Sequence, residues 1–275
     1  MTKLAHGRFM GSMLAAVVAA CALAPVAAAQ GDAAKFRHQP RKVEVGAVYH
    51  YSKTNVDGTK PEHVSVYVAA PDRIESFKFH PRGERAALVI ATMDWSSFSA
   101  KRLESWQVFR DDKKLFATLD YLPAERAVNV SIPPLGKADE KTAIRHLPFH
   151  VYNFDLSSLN FAFRHLEDPR ATFTVGLADP TFKPDPPLFF YRGEVTVRYV
   201  GEETRNNVAC RKYGIDGPGL SNRGGFIWVN KRGGYFEDVE IALPDNPEWQ
   251  SFKFKLQRTE RMTREQWEAF MKAQF

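Results

Sequence analysis

The stretch Phe252-Lys253-Phe254-Lys255-Leu256-Gln257 decides the fold class. Its apolar and polar side chains alternate with period two, so an extended backbone turns one greasy face inward and one wet face outward. That is the signature of a half-buried antiparallel strand. The same alternation recurs in Val64, Val66 and Val68, in Val128, Val130 and Ile132, in Phe173, Val175 and Leu177, and in Val195, Val197 and Tyr199. Turn chemistry separates these runs. Asp57-Gly58 sits between two of them, and Gly233-Gly234 lies between Phe226-Ile227-Trp228-Val229 and the run Val239 to Leu243. The pattern predicts a mostly β fold: a curved, half-barrel-like antiparallel meander of roughly nine to eleven strands over a central helix, with a C-terminal helix.

Two segments carry helical spacing instead. Leu156, Leu159, Phe163 and Leu166 follow Asp155, an N-cap residue type, with Phe154 placed as a hydrophobic staple. From Thr263 onward, Thr263 and Gln266 have capping-box spacing, and Trp267, Phe270, Met271 and Phe275 form one apolar stripe that would close an end of the sheet. Between these helices, Asp179-Pro180-Thr181-Phe182-Lys183-Pro184-Asp185-Pro186-Pro187 reads as a stiff surface loop, because proline removes backbone donors. A domain boundary there is the alternative.

The chain opens with Lys3 and Arg8, an apolar run from Phe9 to Leu23, and the small residues Ala27-Ala28-Ala29 ahead of Gln30. This is the order of a cleavable secretory signal, with the cut between Ala29 and Gln30. A spanning helix needs about 20 apolar residues, and Pro25 interrupts the run. Val18-Ala19-Ala20-Cys21 offers a second reading, lipid anchoring at Cys21, although the chain stays apolar after that cysteine. The expected organisation is a signal over 1–29, a flexible leader over 30–42 and a single β-rich domain over 43–275. Loss of Lys3 and Arg8 takes the formal charge from +6 to +4. The charges are interspersed, which gives no nucleic-acid surface. Cys210 is then the only cysteine, so no intramolecular disulfide supports the fold.

Signals for chemistry are sparse. His146 and His150 have the spacing of a helical zinc pair, but Pro148 between them opposes a shared helical face. No Gly-x-Ser-x-Gly, P-loop or dinucleotide fingerprint occurs, and no cofactor is implied. Aromatic content is the positive feature. Trp95, Trp106, Phe161, Phe190 and Trp228 are candidates to line a cavity for an amphiphile or envelope lipid, with Arg164 facing an anionic head. Packing in the core and, for Arg164, exposure to solvent are the alternatives.

The run Val151-Tyr152-Asn153-Phe154-Asp155-Leu156-Ser157-Ser158-Leu159-Asn160-Phe161-Ala162-Phe163-Arg164, followed by Val200-Gly201-Glu202-Glu203, Cys210-Arg211-Lys212-Tyr213 and Gly225-Phe226-Ile227-Trp228-Val229, is similar to a family of exported bacterial β-rich proteins of unknown function. That family resembles the half-barrel lipoprotein carriers of the periplasm. The resemblance covers about 145–262 and implies a fold and a periplasmic location; it brings no active site. Three functions then compete: a carrier or presenter of an amphiphilic ligand, an envelope enzyme that would gather Glu202, Arg211 and His165 in one pocket, and a non-catalytic assembly factor with an exposed apolar patch.

Overall fold

The computed structural model describes residues 31–181, 186–246 and 249–275, with backbone alone at 137–139. The proposed signal, its cleavage point at Ala29 and Gln30, Cys21 and the centre of the proline-rich loop lie outside the described residues. The strands are β1 (Ala47–Asn55), β2 (Glu62–Ala70), β3 (Arg73–Phe79), β4 (Ala86–Asp94), β5 (Ser99–Val108), β6 (Lys113–Leu122), β7 (Ala127–Ile132) and β8 (Lys137–Ala143). After these come β9 (Phe149–Val151), helix α1 (Ser157–Phe163), β10 (Phe173–Pro180), β11 (Phe189–Arg205), β12 (Val208–Asp216), β13 (Gly225–Asn230), β14 (Phe236–Ala242), β15 (Ser251–Arg261) and helix α2 (Arg264–Lys272).

All the strands join one 15-stranded sheet, in the order β8-β7-β6-β5-β4-β3-β2-β1-β15-β14-β13-β12-β11-β10-β9. Neighbours are antiparallel except β9 and β10, which run parallel. The centre of the sheet is the pairing of the first strand with the last, Ala47 opposite Arg261 through Asn55 opposite Phe252.

This corrects the curved half-barrel of nine to eleven strands. The sheet is open: its edge strands β8 and β9 do not pair with each other. Side chains of β8 reach β11 instead, with the Glu140 carboxylate accepting from the Leu188 amide at 2.8 Å and the Thr142 hydroxyl donating to the Phe189 carbonyl at 2.9 Å. The physical reason is that apolar layers cover both faces. One core holds Tyr49, Tyr51, Val64, Val66, Phe252 and Phe254 under α1; the other holds Val48, Tyr67, Phe77 and Phe79 under Trp267 of α2. A half-barrel over one helix has a single covered face.

Both helices sit where a face needs them. The α2 capping box forms, the Gln266 amide donating to the Thr263 hydroxyl and the Thr263 amide to the Gln266 side chain. Instead of closing an end of the sheet, α2 lies across the second face. Asp155 does not cap α1; the N-cap is Leu156, without a side-chain bond. Asp155 and Leu156 both adopt left-handed backbone, at φ 54° and 51°.

Residues 31–42, the described part of the expected leader, run across the C-terminal end of α1. Phe36 is buried between Phe98 and Phe173, at ring separations of 5.2 and 5.0 Å. The Arg37 amide donates to the His165 carbonyl at 2.8 Å, and the Glu167 amide donates to the Lys35 carbonyl at 3.0 Å.

Candidate functional site

The first turn after α1 delivers Arg164 and His165 into the interior. Arg164 can lie against the β13–β14 turn because Gly234 has no side chain: a Cβ there would stand 2.9 Å from the Arg164 Cα, and its φ of +68° also favours glycine. The strap 36–43 covers the other side. Arg164 is consequently only 4% exposed. Its guanidinium carbon lies 4.9 Å from the Phe161 ring centre and 5.6 Å from that of Tyr49. Its side chain makes one hydrogen bond among the described residues, from Nη1 to the Lys42 carbonyl at 3.4 Å, and its Nε has no partner. Among the described residues no carboxylate pairs with it.

His165 is 0% exposed. Its Nδ1 accepts from the Gln39 amide at 3.2 Å, so in the neutral ring the proton sits on Nε2, which has no acceptor. Burial, then the Arg164 charge, drives its pKa down to about 3. Trp95 lies 4.8 Å from the His165 ring and 5.4 Å from Phe161, and the His38 ring packs on Trp95 at 4.6 Å with a 39° tilt. His38 Nδ1 is likewise buried without a partner.

Of the residues singled out in the sequence, Trp95, Phe161 and Arg164 meet here, and the others do not. Trp106 belongs to the opposite face, bonded to Glu104 at 3.3 Å under Lys113. Phe190 lies under the Arg192 guanidinium at 5.3 Å, in a cleft of about 870 Å³ between β8 and β11. Trp228 is clasped by Arg205 and Lys212 at 4.2 and 5.2 Å. Nor do the three polar residues of the enzyme reading converge. Glu202 and Arg211 face each other across β11 and β12 beside Lys231, while His165 packs inside against Trp95 and Phe98. Sequence reasoning missed His38 and Tyr49 as members of the site. The available signal was Phe36, an aromatic side chain in an otherwise basic leader.

A buried ionic cluster fixes the start of α1. The Asp155 carboxylate, 1% exposed, lies 2.8 Å from the Lys53 ammonium and 2.7 Å from that of Lys78. Burial acts to raise its pKa, but the two ammonium groups outweigh burial and hold it below the usual carboxylate range. Lys53 also meets Glu62 at 3.1 Å and lies over the Trp249 ring; Lys78 donates to the Asn153 carbonyl at 2.5 Å.

Another constellation was illegible in the sequence. Ser65 Oγ lies 2.8 Å from His50 Nδ1, and His50 Nε2 lies 2.7 Å from Glu260. That is the spacing of a nucleophile, base and acid, but Ser65 is buried on the α2 face, where Phe270 packs on the His50 ring. Elsewhere His146 and His150 turn to different partners, the Thr174 carbonyl and the Ser158 hydroxyl, across a cis Leu147–Pro148 bond. Among the described residues no group of three or more His, Cys, Asp or Glu side chains is placed to hold a metal ion.

His150 gives a test of the interior. Burial lowers its pKa to about 3 against 6.5 unfolded, so on acidification the unfolded chain takes up the proton first. Its contribution to stability is full above pH 6.5 and falls toward pH 3, at up to about 1.4 kcal/mol per pH unit. His150→Asn lacks this slope. The stability difference between wild type and variant, from urea titrations at pH 7, 5 and 4, is expected to shrink steadily. Parallel pH curves would show that His150 is solvated.

An open sheet, antiparallel except at β9 and β10, with a helix on each face and a buried arginine packed under residues 36–43 defines the class structurally. No protein-family profile matches the sequence, and no curated protein matches it. Among solved structures the chain is similar to an outer membrane lipoprotein-sorting protein domain from Vibrio parahaemolyticus, at 10% identity over 84% of this chain and 94% of that one, with a TM-score of 0.30. It is also similar to a DUF1329 family protein from Desulfovibrio piger, at 11% identity over 82% and 89%, with a TM-score of 0.24. Likeness at these scores transfers neither a fold nor a function. No helix among the described residues is long and apolar enough to cross a membrane.

Proposed function

We propose that this is an exported envelope protein that binds an amphiphilic ligand, its head against Arg164 and its apolar body along Trp95 and Phe161. The observation that carries the reading is the Arg164 guanidinium, 4% exposed and answered by a single carbonyl at 3.4 Å. A buried charge without a counter-charge is costly, and proteins neutralise, pair or expose such groups unless a ligand completes them. The neighbouring aromatic rings supply the low-dielectric surface an apolar body would meet. Export is supported by the basic, apolar and small-residue order of residues 1–29.

If Arg164 is kept for a ligand, it destabilises the ligand-free fold. Arg164→Met is expected to raise the stability of ligand-free protein by about 1–4 kcal/mol, or about 2–4 °C in Tm per kcal/mol, while abolishing ligand binding. A variant that melts well below wild type would make Arg164 a structural residue and contradict the reading.

A further inference from the structure

We infer that the ligand's head is a monoanionic oxyanion on an acyl chain, and that residues 37–43 hold its place until it displaces them; this rests on Arg164 being a ligand group. The donors dictate the head. Because Gln39 donates to Nδ1, His165 must present N–H at Nε2, and this donor is buried without an acceptor. The Arg164 Nε–H is a second such donor. Both side chains pack on Phe161, the His165 ring centre 6.3 Å and the Arg164 guanidinium carbon 4.9 Å from its ring centre. Two orphaned donors, one of them carrying full charge, call for acceptor oxygens bearing one negative charge. A hydroxyl head would leave the charge unanswered.

The strap supplies weak copies of both halves of such a ligand. The Lys42 carbonyl, a neutral acceptor, reaches Arg164 at 3.4 Å, where a charged oxygen would bind closer. The His38 ring lies on Trp95 at 4.6 Å, on the surface an acyl chain would use. Residues 37–43 are tethered at both ends. Phe36 is sunk in the core and bridged to Leu166, and β1 begins at Ala47. Between those anchors the backbone bonds from the strap to the end of α1 come from the Arg37 and Gln39 amides. Lifting the strap breaks these two bonds, the exposed Arg37–Glu167 ion pair, the His38 contacts with Trp95 and His165, and the Lys42 contact; Phe36 stays sunk in the core and the Glu167 amide still donates to the Lys35 carbonyl, so the fold remains anchored.

The purified protein is titrated with palmitate, monopalmitoyl phosphatidylglycerol and hexadecanol, with tryptophan fluorescence as readout and amide hydrogen exchange at saturation. The acids are expected to bind at least about 10-fold tighter than the alcohol, the effect of one charge-assisted hydrogen bond. Arg164→Met should bind neither acid measurably. Palmitate should accelerate exchange at the Arg37 and Gln39 amides, and His38→Ala should tighten palmitate several-fold by weakening the competitor. Whichever acid binds more tightly identifies the source of the head. Equal binding of acid and alcohol, or bound palmitate with both amides as protected as before, overturns this inference while leaving an amphiphile site standing. Failure of all three lipids to bind overturns both.

Discussion

Asp155→Asn is expected to cost about 3–5 kcal/mol of stability, the range for removing one partner from a buried ion pair. Asparagine keeps the shape of the side chain and tolerates left-handed backbone, so the φ of 54° is not the cause of the loss. What changes is the charge between the Lys53 and Lys78 ammonium groups. Lys53 retains Glu62, whereas among the described residues Lys78 retains the Asn153 carbonyl and no carboxylate. In a chain of this size the loss corresponds to about 6–20 °C in Tm. Adding Lys53→Met and Lys78→Met to the variant should recover much of it, because apolar side chains of similar length need no counter-charge. Denaturant titration of the single and triple variants checks both statements. A single variant within about 1 kcal/mol of wild type would mean that water reaches the cluster.

The second large effect is expected at Glu75. This side chain is 1% exposed, and its carboxylate accepts two bonds from Arg264, at 2.9 and 2.8 Å, and one from the Trp267 indole at 2.9 Å. The two partners are the first and fourth residues of α2, so Glu75 ties that helix to β3. Glu75→Ala removes the acceptor and leaves a fully buried indole N–H unpaired, at a cost of about 2–4 kcal/mol. The loss should be visible as faster amide exchange along Arg264–Lys272 before the rest of the sheet opens. Unchanged protection of α2 would show that Tyr67, Phe77 and the other apolar contacts hold it alone.

The two clusters explain which parts of the molecule were legible. The alternation around Phe254 marks β15 because one face of that strand is wet, and the Thr263 and Gln266 capping box marks α2 because its chemistry is local. The half-barrel failed for a non-local reason. Nothing in the sequence says that the first and last strands pair, or that a second apolar layer grows on the outer face, and these two facts set the size and openness of the sheet. The same limit applies to the site. Arg164 is the C-cap of α1, three residues after Phe161 and still in helical backbone, so their contact follows from helical spacing. The burial of Arg164 does not, since it depends on Gly234 from a distant turn and on the strap. Asp155 shows the converse: its position before a helix suggested a cap, but the lysines of β1 and β3 claim its carboxylate. A buried ion pair outbid a local hydrogen bond.

The proposed function rests on a buried cation, Arg164, that meets no carboxylate among the described residues. Native mass spectrometry of wild type and Arg164→Met protein, purified without detergent from the producing cell, tests this most directly. Wild type should carry one acidic amphiphile per chain, and the variant should carry none while remaining folded. A wild-type protein that flies at its bare chain mass, or a variant that keeps the same ligand, would contradict the account.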